Sequence, residues 1–84
     1  MTPDPLLLEE THTWLDRARR DLRAVRLLIA GEVYAEALFH CQQAAEKALK
    51  AFLTFHDQPF RKTHDLASLG RQCANIDATL GGTG

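Results

Sequence analysis

An uninterrupted helix-forming run from Tyr34 to Phe55 constrains this 84-residue chain more than any other feature. The run contains no Gly or Pro and is rich in Ala, the residue with the highest helix propensity. Seven of its side chains alternate spacings of four and three residues, which places them on one side of a helix. They are Tyr34, Leu38, Cys41, Ala45, Ala48, Phe52 and Phe55. We call this row the seam, and it predicts packing against a partner helix.

A second apolar repeat precedes the run and predicts a first long helix. Its members are Leu15, Ala18, Leu22, Val25 and Ile29. Thr13 with Asp16 resembles a capping box, although Thr11 or an earlier residue could equally start the helix. Gly31 marks its end near Ala30. Because the break is short, we expect an antiparallel hairpin in which the two apolar rows face each other.

The third part of the chain predicts a shorter helix after a loop. Pro59 ends the second helix near His56, because it disfavours helical geometry at the preceding residue. Residues 57–63 form the loop, and Thr63 or His64 begins the third helix. Its expected inward positions are Leu66, Leu69, Cys73 and Ile76. The predicted fold class is all-α, an antiparallel up-and-down bundle of two long helices and a shorter third.

Length limits the core that such a bundle can build. We expect a lead-in over residues 1–12, a helical domain over 13–80 and a flexible tail over 81–84. A chain of this size buries only about 60 to 65% of its unfolded surface. We therefore expect dimerisation to complete the core.

The charge and the cysteine content of the chain indicate its cellular location and its binding partners more than its activity. The formal net charge of -1 gives no global attraction to nucleic acid or to an anionic membrane, so such binding needs a local patch. Two cysteines without a CxxC pair favour a reducing, cytoplasmic location. No basic leader and no apolar run of about 18 residues is present, so we predict no membrane association.

Five arginines of the first helix lie off its apolar row, at positions 17, 19, 20, 23 and 26. Arg19, Arg23 and Arg26 are spaced to share one face and could contact phosphates. A solvated helix surface explains the pattern better, since Asp16 lies four residues before Arg20.

The centre of the second helix is polar and allows two interpretations. The cluster comprises Gln42, Gln43, Glu46, Lys47 and Lys50. We predict an interface role for Gln42, Gln43 and Glu46, whose side chains could hydrogen-bond across helices. The alternative is a ligand site, in which the two lysines would bind an anion. None of the four histidines has a metal-ligand spacing, so we predict no metal and no cofactor.

The start of the third helix carries Arg61, Lys62, His64 and Asp65. A helix N-terminus with cationic side chains favours an anion such as phosphate. In the simpler interpretation, Thr63 or His64 caps the helix and Asp65 favours its positive end.

Two segments together resemble the HEPN domain family. The first is Cys41-Gln42-Gln43-Ala44-Ala45-Glu46-Lys47-Ala48-Leu49-Lys50-Ala51, and the second is Thr63-His64-Asp65-Leu66. Trp14, Asp21-Leu22 and Tyr34-Ala35-Glu36-Ala37 add to the likeness, which covers Trp14 to Leu69. The order and spacing of both segments are more specific than helix composition alone.

The resemblance implies a helical bundle that dimerises and is often encoded beside a minimal nucleotidyltransferase in a prokaryotic toxin-antitoxin or defence pair. Members are proposed to bind nucleotides or to act as metal-independent endoribonucleases. The nuclease branch carries an Arg and a His separated by four to six residues on a late helix, and this sequence lacks that motif. The resemblance allows two explanations: a domain truncated at its C-terminal end, before the motif, or a member of the branch without it.

We therefore expect a non-catalytic module associated with nucleotides or RNA. Its candidate nucleotide or anion site comprises Lys47, Lys50, Arg61, His64 and Asp65. One alternative is an endoribonuclease toxin that uses Arg61 and His64. The other is a purely structural dimerisation adaptor.

Overall fold

The computed structural model describes residues 4–60 and 65–81, the last five of them by backbone alone. In these residues the chain forms three helices and no strand: α1 (Pro5–Ala30), α2 (Tyr34–Phe55) and α3 (Leu66–Gly81). The all-α prediction is confirmed, and α2 has the predicted bounds. None of the described helices combines the length and the apolar character that a membrane-spanning segment needs.

α1 begins much earlier than Thr13. The Asp4 carboxylate accepts a hydrogen bond from the Leu6 backbone N–H at 2.8 Å, and Pro5 occupies the first turn, where its missing N–H costs nothing. The Thr13 hydroxyl donates to the Glu9 carbonyl at 3.1 Å, inside the helix, so it caps nothing. From Pro5 onward the expected lead-in is therefore part of α1.

Both long helices end in the same hydrogen-bonded cap. After α1, the Val33 N–H donates to the Leu28 carbonyl at 2.8 Å and the Glu32 N–H donates to the Ile29 carbonyl at 3.0 Å. Gln58 and Asp57 repeat these two bonds after α2. The motif needs a left-handed residue just past the helix, and acidic residues fill that place: φ is 61° at Glu32 and 52° at Asp57.

α1 and α2 pack through two rows of small side chains, each repeating every seven residues. The rows are Thr11, Ala18 and Val25 on α1, and Ala37, Ala44 and Ala51 on α2, all buried. Small side chains allow the helix backbones to approach closely, and α2 contributes alanines to this contact rather than the larger seam residues.

The prediction that the two apolar rows face each other is therefore wrong for most of their large members. Leu22 and Ile29 of α1 are 45% and 51% exposed, and Tyr34 and Leu38 of α2 are 61% and 60% exposed. The seam lies beside the α1 contact, one row away from Ala37, Ala44 and Ala51. This side of the hairpin has no cover within the described residues.

α3 packs on α2 alone and makes no contact with α1 in the described residues. Among the described side chains, Leu69 and Leu53 are the two large ones that are fully buried, at 1% and 0% exposure. Leu66, Cys73 and Ile76 are half-buried, so the inward row of the third helix is as predicted. The helix begins at Leu66, while Thr63 and His64, the predicted start, lie outside the described residues.

Candidate functional site

A buried carboxylate joins two basic side chains where α1 meets α2. Asp21 of α1 is 8% exposed and lies in the row that faces α2. One of its oxygens is 2.8 Å from Nδ1 of His40, and the other accepts a hydrogen bond from the Lys47 ammonium. We call these three residues the Asp21 cluster. It links the two long helices in the middle of their contact.

The charge state of Asp21 follows from these contacts. Burial raises the pKa of its carboxyl group, but the hydrogen bonds and charges of Lys47 and His40 outweigh burial and leave the pKa below its ordinary value. The carboxylate is therefore ionised at neutral pH. About a third of the His40 side chain and a quarter of the Lys47 side chain remain exposed.

Lys50 is enclosed rather than presented to a ligand. It is 8% exposed, and its ammonium lies 3.2 Å from a carboxylate oxygen of Glu46, which is itself buried. The same ammonium lies 5.2 Å from the ring centre of Trp14 and 5.6 Å from that of Phe60, within the range of cation–π attraction. Lys50 thus helps to join α1, α2 and the loop after α2.

The predicted nucleotide or anion site is only partly described. Lys47 and Lys50 have ionic partners inside the chain, and Asp65 accepts hydrogen bonds from the backbone N–H groups of Ala67 and Ser68 at the start of α3. Arg61 and His64, the other two members, lie outside the described residues. The site stays a prediction.

The predicted interface group surrounds a hollow of about 370 Å³ between α2 and the start of α3. Gln42 is exposed, Gln43 is half-buried and Glu46 is buried. Asp65 lines the same hollow, and both acidic residues have partners within the chain: Glu46 pairs with Lys50, and Asp65 accepts from backbone N–H groups of α3. The interface role of the group remains a prediction.

A second hollow, of about 480 Å³, opens between the start of α1 and the end of α2. Trp14 and Phe60 meet edge to face in its wall, with ring centres 5.9 Å apart. Glu10 and Asp57 contribute carboxylates. In the described part of the chain, no three His, Cys, Asp or Glu side chains come together as a metal site would require.

The sequence interpretation missed the roles of Asp21 and His40. Asp21 continues the buried row of Ala18 and Val25 at three- and four-residue spacing, and an acidic residue in an apolar row is a signal that it meets a cation. His40 and Lys47 lie seven residues apart on α2, on either side of Ala44. Together these positions could have indicated a polar link between the helices.

The fold belongs to the class of small all-α domains, in which a helical hairpin carries a third helix packed on its second helix. The model of the HEPN domain family matches residues 11–80, so the chain belongs to this family of helical, nucleotide- or RNA-associated domains. Comparisons with curated proteins and with solved structures find no match.

Proposed function

We propose that this chain is a non-catalytic HEPN module that works as a homodimer, associates with nucleotides or RNA, and acts with a nucleotidyltransferase in a prokaryotic toxin-antitoxin or defence pair in the cytoplasm. One observation supports the dimer above all. A continuous apolar surface lies on one side of the α1–α2 hairpin, where no described helix covers it, and we call it the open face.

The open face follows from two matching repeats. On α1 its row is Leu8, Leu15, Leu22 and Ile29, and on α2 it is Tyr34, Cys41, Ala48 and Phe55 with neighbouring Leu38 and Ala45. Each row repeats every seven residues, and its first member lies three residues before the first member of the buried row on the same helix. An antiparallel helix pair has an approximate two-fold axis perpendicular to its plane, so equal offsets fall on the same side of the pair. The two rows therefore form one surface.

The size of this surface supports a stable contact. Leu8, Leu22, Ile29, Tyr34, Leu38 and Phe55 are each between 39% and 61% exposed. Together they expose on the order of 600 Å², at the upper end of the largest apolar patch on a typical monomer. With the smaller side chains of the seam included, the area approaches the roughly 800 Å² per partner of a standard protein interface.

A second copy of this chain is the occupant that fits best. Heptad-like rows on two antiparallel helices are the pattern by which helices pair in four-helix bundles. Two hairpins joined through their open faces would form such a bundle, with the same patch used on both sides of a two-fold axis. Ala45, Ala48 and Cys41 in the middle of α2 would allow close approach.

The test compares two identical substitutions at exposed leucines. Leu38→Glu places a charge in the open face, whereas Leu27→Glu places it on the outward side of α1, where Leu27 is 69% exposed. We expect the wild type and Leu27→Glu to have the molar mass of a dimer by light scattering, and Leu38→Glu to have that of the 9.4 kDa monomer. A monomeric wild type, or a dimeric Leu38→Glu variant, would refute the assignment.

Nucleotide binding is proposed at Lys47, Lys50, Arg61, His64 and Asp65. Lys47 would have to exchange the Asp21 carboxylate for a phosphate, and Lys50 would likewise have to exchange the Glu46 carboxylate. Titration of ATP and of short RNA against the wild type and a Lys47→Ala/His64→Ala variant tests this site, and equal affinities would remove it. Incubating labelled RNA with the protein in EDTA tests the alternative ribonuclease, which needs no metal.

A further inference from the structure

The surface arginines of α1 suggest where the proposed RNA association takes place. Arg19, Arg20 and Arg23 line a shallow hollow of about 240 Å³, and Asp16 is the fourth residue of its lining. We call these three arginines the arginine ridge. All three are exposed, in contrast to Lys47 and Lys50.

The ridge keeps most of its charge available for a ligand. Asp16 pairs with Arg19 at 3.1 Å, but both side chains are largely exposed, at 64% and 71%, so the pair is weak. No carboxylate within ion-pair distance of Arg20 or Arg23 is found among the described residues. The hollow is thus lined by three guanidinium groups and one carboxylate, which makes it locally positive although the whole chain carries a net charge of -1.

The position of the ridge leaves it accessible even in the proposed dimer. Arg23 lies about 200° around the helix from both Asp21 and Val25, which face α2. Neither α2 nor α3 covers this side of α1 in the described part of the chain. Arg20 and Arg23 also lie apart from the row of Leu15, Leu22 and Ile29 in the open face, whereas Arg19, four residues after Leu15, borders that row.

We infer that the arginine ridge binds the phosphodiester backbone of single-stranded RNA. Guanidinium groups match phosphate oxygens in bidentate geometry, and Arg19 and Arg23 lie about 6 Å apart along the helix axis, so an extended strand can meet both. No aromatic side chain lines the hollow, which therefore offers no surface on which a base could stack. The ridge would contact backbone rather than sequence, and a mononucleotide would gain little from it.

This inference rests on the proposed RNA association, and salt dependence tests it quantitatively. Each phosphate contact to a single strand contributes about 0.7 to the slope of log affinity against log salt concentration. Binding of a labelled oligouridylate is measured by fluorescence anisotropy over a range of salt concentrations. Arg23→Gln should lower the slope by about 0.7, and replacing all three ridge arginines by Gln should lower it by about 2.

Two variants control for charge and for folding. Arg71→Gln removes one exposed arginine from α3 and should leave the slope unchanged. Arg23→Lys keeps the charge and should retain the slope. Gln and Lys are both good helix formers, so these changes preserve α1, which circular dichroism verifies.

Three results would overturn the inference. If RNA binds and the triple variant has the wild-type slope, the ridge is not the contact. If a polyglutamate peptide of equal charge binds as tightly as the RNA at the same salt, the ridge does not recognise an extended phosphate backbone. If no RNA binds even at low salt, the proposed RNA association fails as well, whereas the dimer is tested separately by molar mass.

Discussion

Replacing Asp21 with Asn tests how much the polar link between α1 and α2 contributes to the fold. The substitution keeps the size of the side chain and removes its charge. Lys47 then loses its ionic partner, and His40 retains only a neutral acceptor. Breaking a buried ion pair by removing one partner costs about 3 to 5 kcal/mol.

The structure reduces that value. About a quarter of the Lys47 side chain is exposed, so water recovers part of the lost interaction, and we expect a loss of about 2 kcal/mol. For a domain of this size that corresponds to a fall in Tm of about 8 to 16 °C. The assay is urea unfolding followed by circular dichroism at fixed protein concentration, because dimerisation would couple stability to concentration.

Asp16→Asn is the matched control on the same helix. Asp16 pairs with Arg19 at the surface, and such pairs contribute about 0 to 1 kcal/mol. Lys47→Met added to Asp21→Asn should recover part of the lost stability, since no unpaired cation then remains. Equal effects of Asp21→Asn and Asp16→Asn would refute the structural role of the cluster.

Two further predictions concern pH and the helix caps. Because the folded-state pKa of Asp21 is lowered, its contribution to stability is complete above the unfolded-state pKa of about 3.9 and is lost as pH falls through the folded-state pKa. The difference in unfolding free energy between the wild type and Asp21→Asn should therefore shrink on strong acidification. A difference that stays constant with pH would contradict this. Glu32→Gly and Asp57→Gly should each raise the free energy of unfolding by about 1 kcal/mol, because both residues hold left-handed geometry and place negative charge at a helix C-terminus. Glu36→Gly, in the first turn of α2, should lower it by a similar amount. If all three variants shift Tm in the same direction in thermal melts, the cap argument is refuted.

Local signals predicted the helices better than the way they pack. The Gly- and Pro-free run from Tyr34 to Phe55 is α2, and Gly31 marks the end of α1, because propensity and caps act within a few residues. The start of α1 differs from the predicted one because Thr13 only resembles a cap, whereas Asp4 caps the helix and Pro5 is its first residue.

Which apolar row packs against which neighbouring helix depends on contacts between helices, and the periodicity of one helix does not determine them. Ala37, Ala44 and Ala51 looked less hydrophobic than the seam, yet their small size decides the closest helix contact. The same holds for the candidate site. Asp21 engages Lys47 only once α1 and α2 are assembled, whereas Glu46 and Lys50 pair four residues apart within α2.

The central claim is that the open face pairs with a second copy of this chain, and Cys41 reports on it directly. Cys41 is exposed within that face, while Cys73 is half-buried, its thiol 3.6 Å from the Leu49 carbonyl oxygen and its pKa raised by burial. The measurement is the alkylation rate of Cys41 in a Cys73→Ser variant, followed by mass spectrometry as protein concentration increases. Dimerisation through the open face predicts a rate that falls as the molar mass doubles, whereas a constant rate across that transition would contradict it.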